Sequence, residues 1–132
     1  MITLDVPTQA KSELVDITAQ VAQALRQSGI SEGVCHVVVP HTTAGITLNE
    51  NWDPTVRQDM LLTMDDHLVP PDPRHRHGEG NSPAHIKATL CGVSTTVIVS
   101  DGQLQLGRWQ GIYLAEFDGP RRRRVWVKVM AG

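Results

Sequence analysis

Apolar residues recur along this chain with two different periods. Val125, Val127 and Val129 alternate with Trp126 and Lys128, which predicts a strand over 124–130 with one buried face. Ile2 to Val6, the β-branched run GVCHVVVP at 33–40, GITL at 45–48, STTVIVS at 94–100, QLQLG at 103–107 and GIYLAEF at 111–117 read as six further strands. A period near 3.6 appears first at Leu14, Ile17, Val21, Ala24 and Leu25, which predicts a helix that stops at Gly29. Asp53-Pro54 is a cap followed by proline at the first helical position, opening a helix with Val56, Met60, Leu61 and Met64 on one side. Ser82-Pro83 repeats that signal and starts a third helix through about Leu90.

Between the last two helices lies VPPDPRHRHGEGNSP, too rich in proline and glycine for regular structure and long enough to suggest function. Asp101-Gly102 marks a tight hairpin, and DGPR at 118–121 another turn. About seven strands and three helices, with a meander in the back half, predict an α+β fold. It is a compact, β-rich single domain over 1–132, with antiparallel sheets forming a jelly-roll-like sandwich.

Composition narrows the classes. Hydrophobic residues make up 40% and charged residues 20%, and the net charge is −2 with neutral histidines. This offers no global attraction to nucleic acid, and the run Arg121–Arg124 reads as a largely solvated turn and strand start. No segment has the length of apolar chain that spans a membrane. Cys35 and Cys91 match no zinc or redox spacing and adjoin apolar segments, so reduced, buried thiols are expected. A signal-like start is lacking, and the expected location is cytoplasmic.

Four stretches carry candidate chemistry. In HGEGNSPAH, Gly78 and Gly80 let the backbone approach a ligand, and the helix start at Asn81 and Ser82, with Lys87 nearby, favours an anion. A plain turn before a capped helix explains the same residues. Six histidines are dense for 132 residues. His36, within a strand, and His67, near a helix end, have structural explanations. His41, His85 and either His75 or His77 lie in separate polar loops and form a candidate open metal site for zinc or magnesium. In HTTAGITLNENWDP, the hydroxyls of Thr42 and Thr43 adjoin His41, while Asn49, Glu50 and Asn51 crowd the approach to a helix. In LGRWQGIYLAE, glycines flank Trp109 and Gln110, so a ring and an amide sit in open backbone, where Trp109 is either core or a wall for a planar ligand.

HTTAGITLNEN with Asp53, EGNSPAHIKATLCG, and DGQLQLGRWQGIYLAEFDGPR, in this order, resemble the YjbQ-like family, also described as secondary thiamine-phosphate synthase enzymes. The likeness covers essentially the whole chain. It departs at Trp52, where a small residue is usual, and at Ile98, where proline is common. The resemblance implies a homotrimer with histidine-containing polar pockets near subunit boundaries, and it selects His77 to join His41 and His85 as metal ligands. The implied reaction couples a hydroxymethylpyrimidine diphosphate to a thiazole phosphate and releases pyrophosphate. His41, Glu50 and His85 are then the candidate catalytic residues. Thr42, Thr43, Asn49, Asn51, Gly80, Asn81, Ser82, Lys87, Trp109 and Gln110 are candidates to bind a phosphorylated small molecule. Two other readings use the same residues: metal-assisted hydrolysis with Glu50 as base, and a metal- or phosphometabolite-binding module without turnover.

Overall fold

The computed structural model describes residues 1–132. Its strands are β1 (Ile2–Pro7), β2 (Glu13–Asp16), β3 (Gly33–Val38), β4 (Ala44–Glu50), β5 (Ser94–Ser100), β6 (Gln103–Leu104), β7 (Gln110–Glu116) and β8 (Arg122–Ala131). The helices are α1 (Thr18–Ser28), α2 (Pro54–Thr63), extended by a π-helical turn at Met64–Leu68, and α3 (Ser82–Cys91). One sheet has the order β1-β8-β3-β5-β6 and the other β2-β7-β4, with antiparallel pairing throughout. The predicted α+β class with two antiparallel sheets and three helices is what the chain forms.

The two sheets face each other across the main core. Val37, Val97, Val125 and Val127 from the larger sheet meet Ile46, Ile112 and Leu114 from the smaller, and α1 adds Val21, Ala24 and Leu25. The smaller sheet is covered on its other face as well. Leu14, Tyr113, Ala115 and Phe117 pack there with Ala84 and Ala88 of α3, against Met60 and Met64 of α2 and the π turn. Burial on both faces explains why β7 reads as a nearly continuous apolar run rather than an alternation. The outer face of the larger sheet stays open, and Arg122, Arg124, Trp126 and Lys128 of β8 are exposed there.

The sequence pattern misplaces one element. Leu14 belongs to an eighth strand, not to α1. Its spacing to Ile17 fits a helix, but residues 13–16 pair with β7, and Leu14 buries beside Tyr113 and Phe117. The helix begins at Thr18, where Asp16 accepts both the backbone N–H and the hydroxyl of Thr18. The third helix is entered through Asn81, which makes no capping bond with its side chain, so Ser82 is the first helical residue and not the cap. Cys35 is buried and Cys91 half-buried, and both are free thiols. No helix is long and apolar enough to cross a membrane.

Candidate functional site

The 39–43 connection between β3 and β4 positions His41. The β3–β8 ladder ends at the pair Val38 and Trp126. Two residues further along β8, the backbone N–H of Arg124 donates to Nε2 of His41 at 2.9 Å. An imidazole that accepts at Nε2 carries its proton on Nδ1 when neutral. Burial, and then the charges of Arg123, Arg121 and Arg124, hold His41 below the ordinary histidine pKa, against an opposing pull from Glu116. His41 is therefore a neutral hydrogen-bond donor at neutral pH.

Beneath it lies a buried ion pair. Arg123 and Glu116 are 2% and 0% exposed, and they bond through both the Nε and Nη2 groups of the guanidinium. Further hydrogen bonds surround the pair. Thr8 donates to Glu116 at 2.7 Å, the Asp118 N–H donates to it at 3.1 Å, and Arg123 donates to the hydroxyl and carbonyl of Thr43. Burial pushes Glu116 up, but the Arg123, Thr8 and Asp118 donors outweigh it and leave the carboxyl below its usual range. Arg121 pairs with Asp118, whereas Arg124 has no acidic partner.

His85 stands in the first turn of α3. It shares a shallow cavity of about 320 Å³ with His41, Thr42, Ala88, Thr89 and Val93. Its ring meets His77 edge-on at 5.5 Å between centroids. A second open hollow of about 410 Å³, lined by His75, Arg76, His77, Ser82, His85 and Ile86, lies on its other side. His85 thus lines both hollows, with His41 on one and His75 and His77 on the other. The helix start contributes less to anion binding than the sequence suggests. Pro83 has no N–H, and those of Ala84 and His85 both donate to the Asn81 carbonyl, which leaves Ser82 with the free donor of that turn.

The other predicted residues lie elsewhere. Thr43 is buried in the Arg123 network. Lys87 is buried and paired with Asp65. It lines a separate cavity with Gly80 and Asn81. Asn49, Glu50, Asn51, Trp109 and Gln110 gather at the far end of the smaller sheet, where Glu50 pairs with Gln110 and Asn49 with Gly111. The length of β4, about 20 Å at strand rise, separates that end from His41 within one chain. Most of its polar groups serve the fold. Asn49 accepts from the N–H of Glu50, Asn51 donates to Asp16, Glu50 accepts from the N–H of Asp53, and Gln110 accepts from that of Gly107. Trp109 is half-exposed and meets the exposed Trp52 edge-on at 5.6 Å, with Arg108 over its ring.

His41, His77 and His85 are not gathered around one point within this chain. No group of three or more His, Cys, Asp or Glu side chains is spaced to hold an ion. His41 in addition commits Nε2 to the Arg124 N–H, and its remaining nitrogen carries a proton. Arg123 is the residue the sequence reading overlooked. The signal was the same alternation that marks Val129, Val127 and Val125 as inward, since it reaches Arg123 two residues earlier.

A family model described as UPF0047 protein YjbQ-like matches residues 2–132. The chain belongs to the YjbQ/UPF0047 family. It is 50% identical over 125 residues to a UPF0047 protein of Methanocaldococcus jannaschii, covering 95% of this chain and 90% of that one. It is 48% identical over 128 residues to the UPF0047 protein YugU of Bacillus subtilis, covering 97% of each. A crystal structure of a YjbQ/UPF0047 protein from Clostridium acetobutylicum, described as an uncharacterized conserved protein, superposes with a TM-score of 0.95 at 48% identity, covering 98% of this chain and 100% of that one. A YbjQ-like protein of unknown function from Sulfolobus solfataricus gives 0.93 at 36% identity, covering 99% and 96%. Membership in the YjbQ/UPF0047 family fixes the fold; the reaction has to be argued from the site.

Proposed function

We propose that this YjbQ/UPF0047 protein is an enzyme acting on a phosphorylated small molecule, whose anionic group is held in the cleft between His41 and His85. The observation that carries this reading is the His41–Arg124 hydrogen bond. It presents a protonated Nδ1 beside a cavity shared with a second imidazole, in the field of three arginines of which Arg124 has no acidic partner. Such donors favour a phosphate over a neutral or cationic group, and they favour it more as negative charge grows on a leaving group. His85, whose ring nitrogens make no hydrogen bond within the chain, is the residue that exchanges a proton with the bound molecule.

The coupling chemistry implied by the resemblance suits such a cleft. The carbon–oxygen bond breaks with its electron pair moving to the diphosphate, and a new carbon–nitrogen bond forms to the thiazole ring. The pyrimidine then needs a flat wall, and Trp109 with Trp52 is the aromatic candidate. Because these rings lie a strand's length from His41, the coupling reading requires a neighbouring copy of the chain, as in a trimer, to bring one end against the other.

Isothermal titration with pyrophosphate tests the cleft, and a mass-spectrometric assay with both phosphorylated partners tests turnover. The reading expects binding that His41→Ala and His85→Ala each weaken, with product formation lost in parallel. Binding without product would leave a phosphometabolite-binding module. Binding unchanged in both variants would remove the site.

A further inference from the structure

A second pair of cavities lies between the helices and the outer face of the smaller sheet. One, of about 240 Å³, is walled mainly by Lys11, Ser12, Asp65, Asp66, Asn81 and Lys87. The other, of about 190 Å³, is almost wholly apolar, with Leu14, Met60, Met64, Leu90 and Cys91 in its wall. Val69, Lys87 and Phe117 line both, so the polar cavity adjoins the apolar one. Neither shares a residue with the hollows around His41 and His85.

Two polar groups that line the polar cavity keep unused hydrogen-bonding capacity. Lys87 is 7% exposed, and its ammonium bonds to Asp65 alone, which leaves two of an ammonium's three donors. The Asn81 Nδ2 group donates to Asp118 at 2.8 Å and to Glu79 at 3.4 Å. Two carboxylate partners fix the amide's orientation, because the oxygen cannot take their place. Oδ1 of Asn81 is consequently buried with no protein donor, and it is the one buried side-chain atom of the chain so placed. A buried acceptor without a partner is costly, and a group that donates to it gains accordingly.

We propose that these cavities form a binding site for a small amphipathic molecule with a neutral head that both donates and accepts, an alcohol or a primary amide, on an apolar body about the size of one aromatic ring. The head accepts from Lys87 and donates to Asn81. A carboxylate has nothing to donate and meets Asp65 and Asp66; an ammonium has nothing to accept with and meets Lys87. The body fills the chamber under Met60 and Met64, whose flexible side chains adapt to its shape. An apolar cavity of about 150 Å³ suffices for benzene, so the 190 Å³ chamber has room for a ring.

The test uses the intact protein and four probes of one size: benzyl alcohol, benzamide, benzoate and benzylammonium. Assigned methyl resonances of Met60 and Met64 report occupancy. Benzyl alcohol and benzamide are expected to shift both methyls saturably, and the two ions to bind about tenfold more weakly or less. Lys87→Met is expected to weaken benzamide by about tenfold. If that variant does not fold, the wild-type series decides alone. No saturable shift from either neutral probe, or equal binding of all four, would overturn the proposal.

Discussion

Nε2 of His41 accepts the backbone N–H of Arg124 at 2.9 Å, across 83 residues of sequence. One hydrogen bond thereby ties the β3–β4 connection to the strand that carries the buried arginine. It also decides which nitrogen of the ring is left for a ligand.

The tautomer has a direct consequence for binding. Replacing His41 by phenylalanine keeps a ring in place but removes the Nδ1 donor. Pyrophosphate affinity, measured calorimetrically, should fall by about tenfold, the loss of roughly one charge-assisted hydrogen bond. The unpaired Arg124 N–H should cost a further ~1 kcal/mol of stability in urea unfolding.

The Arg123–Glu116 pair is the most deeply buried ion pair in the chain. Either Arg123→Leu or Glu116→Leu leaves a charge buried without its partner, and each should destabilise by about 3–5 kcal/mol. The double replacement removes both charges and should cost much less than the two single effects together. Equilibrium urea unfolding of the four proteins measures that coupling.

Stability should also fall with acid in two stages. His41 has a lower pKa folded than unfolded, so below the unfolded value of ~6.5 the unfolded chain binds the extra proton and gains relative to the fold. Glu116 is likewise depressed, which makes its contribution complete above ~4.3 and lost as pH falls through its folded value. Thermal melts from pH 8 to 2 should show both stages in the wild type. His41→Phe should lack the first.

Gly111 separates the two ends of the smaller sheet experimentally. A Cβ there would lie 2.6 Å from Nδ2 and 2.8 Å from Cβ of Asn51. Gly111→Ala should displace Asn51 from Asp16 and change the fluorescence of the nearby Trp52–Trp109 pair. It should leave pyrophosphate binding at His41 within about twofold, because β4 holds the two ends apart.

The sequence reveals the strands well where one face or both faces are apolar, as in β3, β5, β7 and β8. It misleads at Leu14 because two adjacent apolar residues, Leu14 and Val15, in a four-residue edge strand carry too little periodicity to oppose the helical pattern that follows. The polar residues were harder. Each loop residue looked available, yet Thr43, Lys87, Asn49, Asn51 and Gln110 are bound to partners up to 80 positions away or to their own turn. Local composition cannot show a bond closed by tertiary structure. His41 and His85 were legible as a pair because each sits where a regular element meets a polar loop. The order of the two sheets, which sends Glu50 and Trp109 to the far end of β4, was not, since strand pairing is not written in any one segment.

The protonation of His41 is the most direct measure of the central claim. Imidazole nitrogen resonances, followed by NMR from pH 8 to 5 with and without pyrophosphate, report both its tautomer and its titration. The account predicts a neutral ring with the proton on Nδ1 in the free protein, and a pKa that rises when pyrophosphate binds. A ring protonated on Nε2, or a titration unmoved by saturating pyrophosphate, would contradict it.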